Sequence, residues 1–194
     1  MTSLPLVFLD TETTGLDANR HQVIELAAAL TDATGAVVTK RACSRIRLEP
    51  GAVVDARALE VNGYDPRSAA WEAAYYPMAE VLQKFAAWLP AEFVVVAHGA
   101  SFDTRFLMAA YARARIPPPA LTARTVCTST LAQRLKARGV LDVERATLDH
   151  LCERFGVTAT RRTHTAAGDV TRLMGVYPHL RALEAREPQL RMVR

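Results

Sequence analysis

Residues 6–16, LVFLDTETTGL, decide how the rest of the chain is read. Four apolar residues run straight into Asp10, and Glu12 follows two positions later. Side chains at i and i+2 of a strand share a face, so both carboxylates point the same way as the strand runs out. Like charges repel and burial penalises each, so the arrangement is costly unless a cation answers it. In open α/β sheets ligands gather at strand ends. A cluster built of carboxylate oxygens suits Mg²⁺ or Mn²⁺.

Working outward, two more acids fit the same picture. Asp103 falls just after the apolar run EFVVVAH, in the first turn of a helix where negative charge is favoured. Asp169 shares the spacing i, i+4, i+7 with Leu173 and Val176, which puts it on the margin of a helix's apolar stripe. Taken singly, each reads as an ordinary helix-start aspartate. His164 stands five residues before Asp169. Five helical residues lie about 140° apart around the axis, so the histidine is expected on the loop before the helix, curling back to the same place. Beside converging acids a neutral imidazole is the natural general base near pH 7.

The surrounding pattern is that of an α/β domain. LPLVFLD, QVIELAAALTD and AVVTKRACSRIRL read as strands, with ATGA as a hairpin turn between the second and third. PMAEVLQKFAAWL reads as a helix entered at a proline, EFVVVAH as a buried strand, and SFDTRFLMAAYARAR as a helix capped by Ser101. RTVCT is a short strand, and helices are expected around 128–138, 147–155 and 165–183. Strands first, then strands alternating with helices, imply a mixed sheet covered on both faces. The 194 residues, half of them hydrophobic, suffice for one sizeable core. IPPPA at 116–120 is a stiff connector rather than a domain break. No apolar run reaches the ~18 residues of a membrane span, and the N-terminus lacks a signal peptide's basic opening, so the expected location is cytoplasmic. Cys43, Cys127 and Cys152 are too scattered for a metal knuckle or a disulfide framework. A net charge of +4 agrees only weakly with a polyanionic partner.

FLDTETTGL, AHGASFDTRFL and HTAAGD, in this order and spacing, resemble the three motifs of the DnaQ-like, or DEDDh, 3′-to-5′ exonucleases. The resemblance implies a ribonuclease-H-like fold, a five-stranded mixed sheet whose second strand is antiparallel to its neighbours. It implies that Asp10, Glu12, Asp103 and Asp169 hold two divalent cations, Mg²⁺ or Mn²⁺, with His164 as the base. It further implies that Thr13 and the turn at Gly15 approach the terminal nucleotide, that Leu16 wedges against the last bases, and that Phe102 packs beside the terminal sugar. VNGYDP at 61–66 stands where relatives read histidine-glycine-isoleucine, which nominates Asn62 and Tyr64, the tyrosine as a stacking platform for a base. The aromatic stretch WEAAYYP at 71–77 is expected at the core or rim. The resemblance places the exonuclease domain at 1–183 and a short tail at 184–194, with little room for a polymerase-docking segment.

Two departures stand out. Gly99 occupies the position after the motif histidine where relatives carry asparagine, and Cys127 precedes Thr128 where they carry aspartate. The substrate implied is a single-stranded 3′ end. DNA in a proofreading or repair setting, with a DNA polymerase as partner, and RNA trimming both remain open, because the choice depends on how the pocket treats a 2′-hydroxyl. A haloacid-dehalogenase-type phosphatase fits less well, since it wants aspartate where Glu12 stands. A non-catalytic nucleic-acid-binding module is disfavoured by the complete set of candidate residues.

Overall fold

The computed structural model describes residues 4–65, 67–69, 75–158 and 165–191. LVFLDTET forms the central strand, β1 (Leu6–Thr13). On one side it pairs antiparallel with β2 (Val23–Thr31), and β2 pairs antiparallel with β3 (Val38–Arg45). On the other side it pairs parallel with β4 (Val94–Ala97), which pairs parallel with β5 (Thr125–Cys127). The order β3-β2-β1-β4-β5, with the second strand running against the rest, is the ribonuclease-H-like sheet that the motifs imply. The turn from β2 to β3 is closed by Asp32, whose carboxylate accepts from the Ala36 and Val37 amides. Gly35 takes φ 81° there, a value L-residues with side chains avoid.

Strand periodicity sorts β1 between two cores. Val7 and Leu9 face α2 (Met78–Trp88) and α3 (Ala100–Ala114), in a cluster with Leu82, Phe85, Phe106 and Tyr111. Leu6 and Phe8 face α6 (Ala166–Arg191) and pack on Val170, Leu173 and Tyr177. Phe8 meets Tyr177 edge-on at 5.3 Å. On β2 the residues facing α6 include Ala27 and Ala29, small enough to let the helix lie close. Each fully buried Leu or Phe contributes roughly 1.5–3 kcal/mol. α4 (Thr128–Ala137) and α5 (Leu148–Phe155) complete a third cluster against α6. Gly175 of α6 lies where a Cβ would come within 2.6 Å of Val157, so the residue is small because the chain leaving α5 crosses it closely. The edge strand β3 is largely exposed and carries Lys40 and Arg41, which discourage edge-to-edge pairing.

Three details differ from expectation. Helix α3 begins at Ala100 with Gly99 as its cap residue, and Ser101 is an exposed first-turn residue rather than the cap. The strand exit and the 2.6 Å bond from the Phe102 amide to the Gly99 carbonyl set the cap two residues earlier. A short helix, α1 (Ala56–Asn62), capped by Asp55, lies in a stretch whose weak periodicity gave no helical signal. Helix α6 continues without a break past residue 183 to Arg191. Among the described residues no helix is long and apolar enough to cross a membrane.

Candidate active site

The parity that divides the cores also builds the site. Asp10 and Glu12 continue the even-numbered series of β1 that faces α6, and Asp169 sits in the first turn of that helix. Their carboxylates, one oxygen from each, lie within 4.8 Å of one another. Strand β4 pairs with β1 only from Leu6 to Phe8, so these acids project beyond its end. Thr11, on the opposite face, donates from its amide (3.1 Å) and its hydroxyl (2.9 Å) to Oδ1 of Asp103 on α3. Asp103, 4% exposed, is thus tied to the strand between the other two acids. All four line one cavity of about 370 Å³. His164 lies outside the described residues. Two residues on, the Ala166 amide donates to Oε2 of Glu25 at 2.9 Å.

The electrostatics identify what this cluster fits. Burial, then the charges of Asp103, Asp169, Glu12 and Glu25, push the Asp10 carboxyl well above the ordinary range. Burial, then Asp169, Glu25 and Asp103, push Glu12 up to about 8. Burial raises Asp103 to about 7 against the opposing hydrogen bonds from Thr11. Oxygen donors crowded until they hold protons at neutral pH form a set that fits divalent cations, whose binding requires those protons to leave. A consequence follows for stability. The unfolded chain releases these protons near pH 4–4.5 and the folded chain near 7–8, as the raised values of Asp103 and Glu12 imply. The folded state binds more protons in between, so stability falls as pH rises through that window. Below it both states are protonated and the penalty is absent. In chelator the melting temperature should therefore drop between pH 5 and 8.5, and saturating Mn²⁺ should flatten that slope. A flat profile in chelator would contradict the clustering.

Three charged groups absent from the sequence-level reading join the site. Arg172, with a side chain 5% exposed, donates to Asp169 at 2.8 Å and also pairs with Asp149 of α5. Arg172 and Asp149 both line the acid cavity. The third is Glu25, 4% exposed and directly opposite Glu12 in the β1–β2 register. Besides the Ala166 amide, it accepts from the Tyr64 hydroxyl at 3.2 Å. An acid inside a strand as apolar as VIELAAALT was the available signal for Glu25, and Arg172 follows Asp169 by three residues, one helical turn.

The proposed nucleotide contacts divide. Tyr64 is 8% exposed and packs with Ile24 and Tyr75, which corrects the expectation that its ring is free to stack on a base. Its hydroxyl is needed beneath the sheet, by Glu25. Tyr64→Phe should therefore cost about 1 kcal/mol, or roughly 2–4 °C in melting temperature. KM for substrate should stay within about twofold; an unchanged melting temperature would return the ring to the surface. Asn62 is also buried, its amide donating to the Thr13 carbonyl at 3.3 Å and its oxygen accepting from the Tyr64 amide. It holds backbone rather than presenting a free amide. Thr13, Leu16 and Phe102 line a second, smaller pocket of about 250 Å³ together with Val61. Leu16 is 77% exposed there. Of the aromatic stretch, Tyr75 is buried, Tyr76 is exposed, and 71–74 lie outside the described residues. A Cβ on Gly99 would meet only the Phe102 Cβ at 3.9 Å, so space does not explain that departure. Beside Cys127, the Thr128 hydroxyl stands 3.0 Å from Nδ1 of His98.

Known proteins are similar to this chain in sequence and in fold. Residues 7–177 match the family model described as Exonuclease. The epsilon subunit of DNA polymerase III from Rickettsia typhi is 29% identical over 182 residues, covering 91% of this chain and 74% of that protein. Ribonuclease T from Blochmanniella pennsylvanica is 35% identical over 116 residues, 55% of this chain and 54% of that one. The fold superposes on E. coli exonuclease I, solved with zinc and single-stranded DNA, with a TM-score of 0.84 and 16% identity. That match covers 95% of this chain and 42% of exonuclease I, so the chain spans less than half of that enzyme's length. With the family match running through both ends of the acid cluster, the chain belongs to the Exonuclease family, in its DnaQ-like 3′-to-5′ branch.

Proposed function

We propose that this domain removes nucleoside 5′-monophosphates one at a time from the 3′ end of single-stranded DNA, in proofreading or repair. The observation that carries the reading is the gathering of Asp10, Glu12 and Asp169 within 4.8 Å, with Asp103 in the same cavity and anchored by Thr11. These four acids would hold two divalent cations, Mg²⁺ or Mn²⁺. When bound, such ions supply the positive charge that offsets the clustered carboxylates and the phosphodiester, and they favour ionisation of the attacking water. Around them the chain's own groups act. Arg172 fixes the Asp169 carboxylate, and Thr11 fixes that of Asp103. His164 takes a proton from the attacking water. Leu16, Val61 and Phe102 supply apolar surface for the terminal nucleotide, and Thr13 its backbone approach. Similarity to a polymerase subunit supports a DNA polymerase as partner, and a cytoplasmic location accords with such a role.

A second substrate reading is favoured by the ribonuclease T similarity, namely trimming of RNA 3′ ends. One experiment tests both. End-labelled single-stranded DNA and RNA of equal sequence are incubated with Mg²⁺ or Mn²⁺, and with chelator. The expected result is stepwise shortening from the 3′ end, dependent on metal, with DNA preferred. Faster shortening of RNA would move the assignment to the second reading, and no shortening of either would overturn both.

A further inference from the structure

Asn62 and Tyr64, which the sequence nominated as contacts for the terminal base, are both turned inward. The polar groups that do line the pocket beside Leu16 are mostly engaged. The Thr11 hydroxyl donates to Asp103, and the Thr13 hydroxyl donates to the Gly15 carbonyl at 2.7 Å. The Asn62 side chain ties the Thr13 carbonyl to the Tyr64 amide. The Asp55 carboxylate caps α1 by accepting from the Arg57 amide at 2.9 Å, and Glu12 belongs to the acid cluster. Arg57 is the exception. It lines the pocket from the first turn of α1 and is exposed. Among the described residues its guanidinium has no hydrogen bond or ion pair. The helix supplies no reason for a cation there, because positive charge in a first turn opposes the macrodipole and α1 has no acid in that turn to offset it.

We infer that Arg57 makes this site selective for the base it removes, favouring a 3′-terminal guanine over an adenine. This deepens the exonuclease reading of the acid site and rests on it. The pocket of about 250 Å³ has apolar walls in Leu16, Ala58, Val61 and Phe102, which suit the flat faces of one base. Stacking on such walls tolerates any base, since every base has a π-face. Discrimination needs a hydrogen-bonding group at the edge of the ring. Among the described residues Arg57 is the one exposed side chain lining this pocket whose donors are uncommitted. A guanidinium carries five N–H donors in a fixed fork and no acceptor. Guanine presents two adjacent acceptors, O6 and N7, which the fork spans. Adenine presents N7 beside its N6 amino group, so one arm of the fork meets another donor. The two purines share a ring outline, so the walls treat them alike and the fork separates them.

The test follows release of the 3′-terminal nucleotide from single-stranded dodecanucleotides, as DNA and as RNA, that differ only in the terminal base. The bases are guanine, adenine and 7-deazaguanine, which keeps O6 but has carbon in place of N7. With saturating Mn²⁺, the expected KM of wild type is about five- to tenfold lower for the guanine end than for the adenine end, with 7-deazaguanine close to adenine. Arg57→Met should bring guanine and adenine within about twofold of each other by raising KM for guanine. Arg57→Glu exchanges donors for acceptors and should reverse the order, because the adenine amino group then has a partner. An acid is favoured in a helix's first turn, so this variant should keep the wild-type melting temperature or exceed it. Equal KM values for the three ends in wild type would overturn the inference, as would 7-deazaguanine behaving as guanine. So would either variant keeping the guanine preference. A rise in KM for every end alike in Arg57→Met would make the residue a phosphate contact and overturn the inference too. Wild type inert on every end with metal present is a different failure: it overturns the exonuclease reading and this inference with it.

Discussion

Asp10→Ala should lower metal-dependent hydrolysis by at least about a thousandfold while leaving the fold intact. The size follows from the chemistry: divalent cations contribute several kcal/mol of charge stabilisation in the transition state, and each ~1.4 kcal/mol is tenfold in rate. The sparing of the fold follows from the position. Asp10 stands opposite Ala27 on β2, past the last β1–β4 pair, and its carboxyl is already held far above its ordinary range by burial and by Asp103, Asp169, Glu12 and Glu25. Removing one member of a mutually repelling set relieves the others. In chelator the variant should melt at or above the wild-type temperature. Saturating Mn²⁺ should stabilise wild type, by about 2.7 kcal/mol at a hundred times Kd, and the variant much less. A variant that keeps wild-type turnover, or gains the full Mn²⁺ stabilisation, would remove Asp10 from the metal set.

His164→Ala should cost about 10²- to 10⁴-fold in rate, the usual worth of a positioned general base. It should not alter the Mn²⁺-induced rise in melting temperature, because imidazole is not needed among the oxygen ligands. The pH profile gives the sharper readout. An unperturbed imidazole titrates near 6.5, and only its neutral form accepts a proton. The wild-type rate should therefore rise through that region, and the variant should lose this limb. The carboxylates ionise at somewhat higher pH in the metal-free protein, so the profile is measured at saturating metal, where their protons have already been displaced. In the residues directly after it, Thr165 Oγ1 accepts from the Gly168 amide at 3.0 Å, and Glu25 accepts from the Ala166 amide. A variant retaining the full rate would assign the proton transfer elsewhere while leaving the acids in place.

Much of the site was legible in the chain because its signals are local. Asp10 and Glu12 are two apart on a strand, and that spacing puts them on one face whatever the partners. Asp169 sits in the turn of a helix whose apolar stripe is readable from Leu173 and Val176. The three motifs brought Asp103 into the same reading, and His164, named by the same motifs, lies outside the described residues. What failed was judged by residue type without knowledge of depth. Tyr64 looks like a stacking platform in VNGYDP, but the chain after α1 turns it inward, where its hydroxyl meets Glu25. Asn62 is withdrawn by the same turn. Ser101 is a good capping residue at a position where the strand exit, not the side chain, sets the helix start.

By itself the amino-acid order determined the alternation of buried strands and amphipathic helices, the pairing of acids on one strand face, and the family. Those features depend on spacings of two to seven residues, which backbone geometry converts directly into shared faces. The tertiary structure alone decided that Glu25 lies opposite Glu12, that Arg172 bridges Asp169 and Asp149, and that His98 lines both the acid cavity and a second cavity along α4. Each of these joins residues from separate elements, and strand register and helix packing set such distances only once the whole sheet has formed.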